Sequence, residues 1–158
     1  MPILLNRVDD RLIHGQVVIG WGRPLGLQRI ILVDDAVAAN DWEQDLYRMA
    51  VTSGIEVLFA TVDQASARLA EWQASPLRTV VLTGTIDAMA RLYRADGAVI
   101  RKINLGGVHH RPGRRERLPY LYLTDEELGT LRGLVAAGAQ VSAQDVPTAS
   151  PVSLEAIA

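Results

Sequence analysis

Short, strongly apolar runs alternate with longer amphipathic segments along almost the whole 158-residue chain, and this alternation constrains the fold more than any other feature. The run Ile30-Ile31-Leu32-Val33 is typical of a strand that is buried on both faces. Segments such as 61–73 instead place apolar residues at helical spacing. Strands that alternate with helices of about ten to fifteen residues indicate βαβ units and a mainly parallel sheet.

The pattern predicts where the individual elements lie. Strands are expected at 3–8, 29–33, 55–59, 79–82, 103–105, 118–123 and 139–143. Helical segments are expected at 17–21, around 42–50, and at 61–73, 85–95 and 128–137. The capping box Thr124-Asp125-Glu126-Glu127 opens the last of these helices. The connection from 105 to 118 has no helical pattern, so one antiparallel strand or hairpin is expected near residues 101–123.

The predicted fold class is therefore α/β: a single domain over 1–158 with a mainly parallel central sheet and helices on both faces. The length suits one domain, and 49% hydrophobic residues can form a core. Apolar runs stay well short of the roughly 20 residues that span a bilayer, so no membrane insertion is expected. The start, 1–5, lacks the basic flank of a signal peptide, which makes the cytoplasm the expected compartment.

Composition excludes several kinds of chemistry. The chain has no cysteine, which rules out disulfides, thiolate metal sites and cysteine nucleophiles. Only three histidines are available for chemistry near neutral pH. The net charge of −2 argues against extensive nucleic-acid binding, although it does not describe local patches.

Candidate functional residues follow three predicted strands. They occupy 7–16, Asp34-Asp35 and 104–117, and all three histidines fall in the first and third segments. Ligand sites of open α/β sheets gather at the carboxyl ends of the strands, so these segments are expected to meet there. The two aspartates could instead cap the following helix, which is the simpler interpretation.

The segment Arg-Val-Asp-Asp-Arg-Leu-Ile-His-Gly-Gln at 7–16 carries the densest set of functional groups. A histidine here can attack phosphorus through one ring nitrogen while a carboxylate, from either Asp9 or Asp10, fixes the other. Backbone N–H groups at a helix start and forked arginine donors both bind phosphate oxygens. The alternative is that the arginines and aspartates form solvated ion pairs and the histidine caps or packs.

Three stretches of the chain resemble the enzyme IIB subunits of the mannose/fructose/sorbose family of the bacterial sugar phosphotransferase system (PTS). The first is 7–17 with Trp21 further on, where Val8 stands in place of the usual Ile. The second is 29–39, and the third is Ile-Asn-Leu-Gly-Gly-Val at 103–108, close to the family's Asn-Val-Gly-Gly-Met. The order of the segments also fits, so the resemblance covers nearly the whole chain.

The resemblance implies a phosphocarrier that takes a phosphoryl group from a phosphohistidine on a IIA domain and passes it to a sugar bound by the membrane components IIC and IID. His14 would be phosphorylated, on Nδ1, and Arg7 and Arg11 would contact the phosphoryl group. No cofactor and no metal are implied. A cytoplasmic location, peripheral to the inner membrane through IIC and IID, follows from the same resemblance.

The residues themselves suggest further roles around His14. Backbone N–H groups of Gly15 and Gln16 are expected to bind phosphate at the helix start. Asp10 is expected to orient His14 or to hold the loop. Two adjacent histidines without a third ligand make a poor metal site. In the family that the chain resembles this loop follows the Gly-Gly turn, which implies that His109 lines the pocket, without a catalytic role.

The segment 101–117 is strongly basic. It holds six basic residues and one acidic residue, a local net charge of +5 that leaves −7 for the rest of the chain. This asymmetry favours docking of an acidic partner, such as an acidic face of a IIA domain, over a solvated loop. Nucleic-acid binding is disfavoured because no recognition motif or stacking aromatic residues accompany the basic residues.

Two other functions stay open at this point. One is a regulatory phosphorelay protein that accepts a phosphoryl group without sugar transport. The other is a non-catalytic anion- or nucleotide-binding module that uses the same helix start, although the chain lacks a glycine-rich phosphate fingerprint. The three tryptophans at helical positions, Trp21, Trp42 and Trp72, are expected in the core or in an interface.

Overall fold

The computed structural model of the protein describes residues 2–52 and 54–157, all of them except Gln16 with their side chains. The strands are β1 (Ile3–Val8), β2 (Arg29–Val33), β3 (Glu56–Ala60), β4 (Thr79–Thr83), β5 (Lys102–Leu105), β6 (Arg115–Leu118), β7 (Leu121–Leu123), β8 (Gln140–Ala143) and β9 (Val152–Ser153). A π-helix (Gln16–Trp21) precedes the α-helices, which are α1 (Gly22–Leu25), α2 (Asp35–Ala38), α3 (Asp41–Ala50), α4 (Val62–Ala74), α5 (Ile86–Ala95), α6 (Asp125–Ala136) and α7 (Leu154–Ile157).

Seven strands form one sheet in the order β3-β2-β4-β1-β5-β8-β9. All neighbouring pairs run parallel except β8 and β9, which are antiparallel. The strands β6 and β7 form a separate antiparallel hairpin. The prediction of an α/β fold with a mainly parallel sheet and a hairpin near 101–123 is confirmed.

Helices cover both faces of the sheet, and side-chain alternation along β2 shows how. Ile31 and Val33 pack into a core with α4, α5 and α6, in which Trp72 is the largest buried side chain. Ile30 and Leu32 point to the other face, where Val17 of the π-helix covers them. A strand that is buried on both faces must be apolar at consecutive positions, which is why β2 reads as an unbroken apolar run.

Side-chain caps mark where the helices begin, as the sequence predicts. Thr124 and Glu127 form the predicted capping box of α6, with reciprocal hydrogen bonds of 2.9 Å. Thr61 makes the equivalent box at α4. Asp34 accepts a hydrogen bond from the backbone N–H of Val37 and so caps α2, in agreement with the simpler interpretation of this residue.

The structure corrects one predicted strand. Residues 118–123 are not one strand, because Pro119 has no backbone N–H to donate and the chain turns there between β6 and β7. The C-terminal segment forms β9 and α7 and buries Leu154 in the core. Of the three tryptophans, Trp21 and Trp72 are in the core, and Trp42 is 72% exposed on α3, where an interface is the expectation that stays open.

The strand order places two of the three candidate segments, 7–16 and 104–117, side by side and leaves β4 between them and Asp34-Asp35. The central strand β1 is flanked by β4 and β5, and residues 7–16 leave its carboxyl end. Backbone hydrogen bonds join Asp9 N–H to the Thr83 carbonyl and Asp10 N–H to the Gly107 carbonyl, so loops from three strands meet there. None of the helices among residues 2–52 and 54–157 is long and apolar enough to cross a membrane.

Candidate functional site

The buried carboxylate of Asp9 lies at the centre of the site. Its Oδ2 atom is approached by Arg11 Nη2 at 2.9 Å, His14 Nε2 at 3.3 Å and Arg7 Nη2 at 3.4 Å. The Oδ1 atom accepts hydrogen bonds from the backbone N–H and Nε of Arg11. Asp9 is fully buried, so these groups supply the stabilisation that water would otherwise give the charge.

The surroundings of Asp9 keep it ionised at neutral pH. Burial by itself would raise the pKa of Asp9, but hydrogen bonds from His14 and Arg11 and the positive charge of Arg7 hold it well below its usual range. A carboxylate that stays ionised accepts hydrogen bonds and has no proton of its own to donate.

The carboxylate of Asp9 favours one tautomer of His14. His14 Nε2 lies 3.3 Å from an oxygen that can only accept, so a neutral His14 is more stable with its proton on Nε2 and its lone pair on Nδ1. The imidazole is partly exposed, at 19% of its side-chain surface.

Arg7 does not lie where the sequence prediction puts it. We expected it to contact a phosphoryl group, but its side chain is fully buried beneath the carboxyl ends of the strands. It donates to the Gln144 carbonyl at 2.8 Å, the Asp145 carbonyl at 3.0 Å and the side chain of Asn104. Its guanidinium also stacks on the Trp21 ring, 4.8 Å from the centroid.

Two consecutive glycines make room for the two arginines of the loop. A Cβ at Gly106 would overlap the guanidinium of Arg7, and a Cβ at Gly107 would come within 3.2 Å of Arg11 Nε. Both positions are buried, and no pattern in the sequence indicates which side chains the glycine pair accommodates. The lack of a side chain at both positions therefore leaves the space that the two guanidinium groups occupy.

Arg11 is the arginine that reaches the surface of the site. Its side chain is 33% exposed while Nε and Nη2 hold both carboxylate oxygens of Asp9 in a forked contact. The next residue, Leu12, has a φ of +61°, a left-handed conformation that is rare for a residue with a branched side chain. Arg11 and His14 thus stand on a tight turn that one carboxylate fixes from beneath.

Of the two roles expected for Asp10, the structure agrees with the second, holding the loop, and Asp10 does so through His109 and not through His14. It accepts hydrogen bonds from the backbone N–H of His109 at 2.7 Å, and its other oxygen lies 2.5 Å from His109 Nδ1. The residue beside His14 is Asp9, because consecutive side chains leave the loop in different directions. Asp10 instead ties the loop to the segment after β5, and His109 lies at the rim of the site.

Comparison with known proteins shows the family of the chain. The profile of the PTS system sorbose subfamily IIB component matches residues 3–158. The chain belongs to this family. IIB components are phosphotransferases that carry a phosphoryl group in sugar transport by the PTS.

Individual members resemble the chain along most of its length. The N-acetylgalactosamine-specific phosphotransferase enzyme IIB component 1 of Escherichia coli is 32% identical over 146 residues, 92% of this chain and 91% of that protein. The crystal structure of the IIBSor domain of the Klebsiella pneumoniae sorbose permease is 30% identical, with a TM-score of 0.87 over 99% of this chain and 96% of that one. The mannose-specific EIIAB component of E. coli is 28% identical over 148 residues, 94% of this chain and 46% of that protein.

The phosphate contact expected of the backbone N–H groups of Gly15 and Gln16, at the helix start of this IIB component, stays a prediction. The helix after His14 is a π-helix of six residues, and Gly15 has ordinary right-handed helical angles. A Cβ at Gly15 would meet nothing within 4 Å, so the space beside its backbone is open. The side chain of Gln16 lies outside the described residues.

The basic segment 101–117 of the IIB component is partly neutralised by α6. Arg114 forms a forked pair with Glu127 at 3.0 Å, and Arg115 and Arg117 lie 2.7 and 3.3 Å from Asp125. The segment's other cations, Arg101, Lys102 and Arg111, are exposed. His110 packs edge-on against the Tyr122 ring, and no group of metal ligands is found among residues 2–52 and 54–157.

Replacing Gly106 with Ala tests the packing over Arg7. The added methyl group must displace a buried guanidinium, so we expect a loss of about 1–3 kcal/mol in the free energy of unfolding. Gly129→Ala is the matched control, because a Cβ there meets nothing within 4 Å and alanine stabilises the exposed face of α6 by about 0.5–1 kcal/mol. Urea unfolding measures both, and equal effects would contradict the packing described here.

Replacing Asp9 with Asn tests the buried carboxylate. The folded-state pKa of Asp9 lies below the unfolded value of about 4, so its contribution is complete above pH 4 and is lost as the pH falls further. At pH 7 we expect Asp9→Asn to lower the free energy of unfolding by about 3 kcal/mol, and the difference from the wild type should shrink below pH 4. Urea unfolding between pH 2 and pH 7 measures this difference.

Asp125→Asn is the matched control for Asp9→Asn. Asp125 also contacts two arginines, but its side chain is 80% exposed and solvent screens the pair. We expect a much smaller change at every pH. If the two variants behave alike, burial does not set the strength of the Asp9 interactions.

Proposed function

We propose that His14 is the residue of this IIB component that carries the phosphoryl group, and that it accepts the group on Nδ1. The observation that carries the proposal is the contact of His14 Nε2 with the ionised, buried carboxylate of Asp9. This contact favours the proton on Nε2 and the lone pair on Nδ1, the ring nitrogen away from Asp9. The resemblance of residues 7–17 to the family's histidine segment supports the same assignment.

The transfer needs no chemistry beyond these side chains and a phosphohistidine donor. The Nδ1 lone pair forms a bond to phosphorus while the donor's P–N bond breaks and its electron pair returns to the donor ring. Positive charge develops on the His14 ring as Nδ1 gives up its lone pair. The carboxylate of Asp9, placed at Nε2–H before the reaction begins, stabilises that charge.

We assign the two arginines of the loop different roles. Arg11 is one-third exposed and stands on the same turn as His14, so its guanidinium is the one that can reach oxygens of a phosphoryl group on Nδ1. Arg7 is fully buried, and its role is to hold Asp9 and the chain after β8 in place. The phosphate contact that the family resemblance implied for both arginines is thus proposed for Arg11 alone.

The partners proposed for this chain are a IIA domain as phosphoryl donor and the membrane components IIC and IID, with a sugar as acceptor. The E. coli relative named EIIAB supports the first, since that name joins a IIA and a IIB part in one protein. Arg111 is exposed on the loop that follows the carboxyl end of β5, and this loop is the surface we propose for an acidic IIA face. The family's cytoplasmic location fits these partners.

Replacing His14 with Ala tests the phosphorylated residue. Wild-type protein incubated with labelled phosphoenolpyruvate, the general PTS components and a matching IIA domain should take up acid-labile, alkali-stable label. His14→Ala should take up none, because alanine offers no nucleophile. His110→Ala, a change of an exposed histidine outside the Asp9 cluster, is the control and should label like wild type. Labelling of His14→Ala would show that another residue carries the phosphoryl group.

Replacing Arg11 with Ala tests the proposed phosphate contact. Loss of a cation that stabilises the transferring group should slow the single-turnover transfer from IIA by about 100-fold or more. The free energy of unfolding should fall by only about 1–2 kcal/mol, because Arg7 and His14 still contact Asp9. Arg23→Ala, an exposed arginine of α1, should change neither. If the transfer rate falls only in proportion to the fraction of folded protein, Arg11 is a structural residue.

A further inference from the structure

The helix α3 presents an apolar stripe to solvent. Five large apolar side chains are exposed among the described residues, and three of them, Trp42, Leu46 and Met49, lie on this one helix. Their exposed fractions are 72%, 45% and 81%. Their spacing of four and three residues puts them on one face, so they form a continuous stripe and not scattered single residues.

The face of α3 toward the sheet is already packed and hydrogen-bonded, so the stripe is not needed to hold this helix on the fold. Tyr47 and Val51 pack toward the sheet. Gln44 Nε2 donates to the carbonyls of Val37 and Ala38 at 3.0 and 3.1 Å, which fixes α3 against α2. The helix therefore has one apolar side for the fold and a second apolar side without an intramolecular role.

The surroundings of the stripe are acidic. Between residues 34 and 47 the chain has five acidic residues and no lysine or arginine: Asp34, Asp35, Asp41, Glu43 and Asp45. Arg48, which follows, lies 3.2 Å from Asp45 and stacks on the Phe59 ring at 5.0 Å. The stripe is thus an apolar surface with an acidic rim, which suits an apolar partner surface rimmed by lysine and arginine.

The stripe and the basic segment lie on opposite sides of His14. In the sheet, β2 with α2 and α3 after it lies two strands from β1 on one side, while β5 and the basic segment lie on the other. Since α3 returns the chain from the carboxyl edge of β2 to β3, its first turn, with Trp42, is at the edge where His14 stands. His14 therefore lies between the α3 stripe on one side and the part of the basic segment that follows β5, with the exposed Arg111, on the other.

From this arrangement we propose that the α3 stripe docks the cytoplasmic face of the membrane components that receive the phosphoryl group. The proposal rests on the function proposed above for His14. Short cytoplasmic loops of membrane proteins carry an excess of lysine and arginine, which complements the acidic rim. An anionic lipid surface would be repelled by the same rim, and a second copy of the chain would bring two acidic rims together.

The two docking surfaces would let donor and acceptor bind by different parts of the chain. A IIA domain would use the basic side of His14 and the membrane components the acidic, apolar side. Damage to the stripe should then impair discharge to the acceptor and leave phosphoryl uptake intact. This separation is what distinguishes a docking surface from a general contribution to stability or to the chemistry at His14.

The test uses membrane vesicles that contain IIC and IID, and vesicles of the same lipid without them. The variant Trp42→Ser/Met49→Ser should bind the IIC/IID vesicles about tenfold or more weakly than wild type, as expected for loss of an aromatic anchor. The KM for discharge should rise in parallel, while uptake from IIA stays within about twofold of wild type. Val135→Ser, a change of an exposed apolar residue on α6, is the matched control and should behave like wild type.

A second variant keeps the test decisive if the first one is destabilised. Asp41→Lys reverses one charge of the rim and should also weaken binding to IIC/IID vesicles, with a smaller dependence on salt than wild type shows. Unchanged binding of either folded variant overturns the proposal. Equal binding of wild type to the lipid-only vesicles also overturns it. The same holds if sedimentation equilibrium shows a wild-type dimer that Trp42→Ser/Met49→Ser dissociates without any effect on discharge.

Failure of the docking proposal is distinguishable from failure of the function proposed for His14. Unphosphorylated wild type and His14→Ala should bind the IIC/IID vesicles equally, because docking does not use the phosphoryl group. If wild type takes up no label but still binds through α3, the assignment of His14 fails and the docking surface stands. If wild type is labelled and the α3 variants bind and discharge normally, the docking surface fails alone.

Discussion

The buried carboxylate of Asp9 is the interaction on which the arrangement of the site depends. It is fully buried, and a carboxylate removed from water needs partners in fixed positions. Arg7, Arg11 and His14 supply them, all within 3.4 Å of a single oxygen atom. The turn that carries His14, including the left-handed Leu12, is therefore held from beneath by charge and not by the contacts of the exposed loop alone.

Around this carboxylate the chain places one arginine in the interior and the other toward solvent. Arg7 fills the space under Trp21 and joins β1 to the carbonyls after β8, while Arg11 extends from the same carboxylate toward solvent. The consecutive Gly106 and Gly107 allow β5 to pass this close to both guanidinium groups. A guanidinium with five fixed donors suits both positions, because it can hold a carboxylate with one edge and other acceptors with the rest.

The sequence predicted the fold well because the signals it used are local. Apolar runs, capping residues and helical spacing place the strands and the longer helices within a few residues of where they lie. It predicted less well in two places. Pro119 divides one predicted strand into two. The C-terminal segment packs into the core although its sequence has no strong pattern. Such outcomes depend on which surfaces other segments leave uncovered.

For the site, the sequence by itself determined which residue types are present, and family resemblance singled out the histidine segment. It could not tell Asp9 from Asp10, or Arg7 from Arg11, because neighbours in sequence look equivalent until the loop bends. The tertiary structure decided these questions by burying Asp9 and Arg7 beneath the carboxyl edge of the sheet and turning Asp10 toward His109. The physical reason is that burial and direction depend on the strands to either side of β1, and these come from parts of the chain about 75 and 97 residues away.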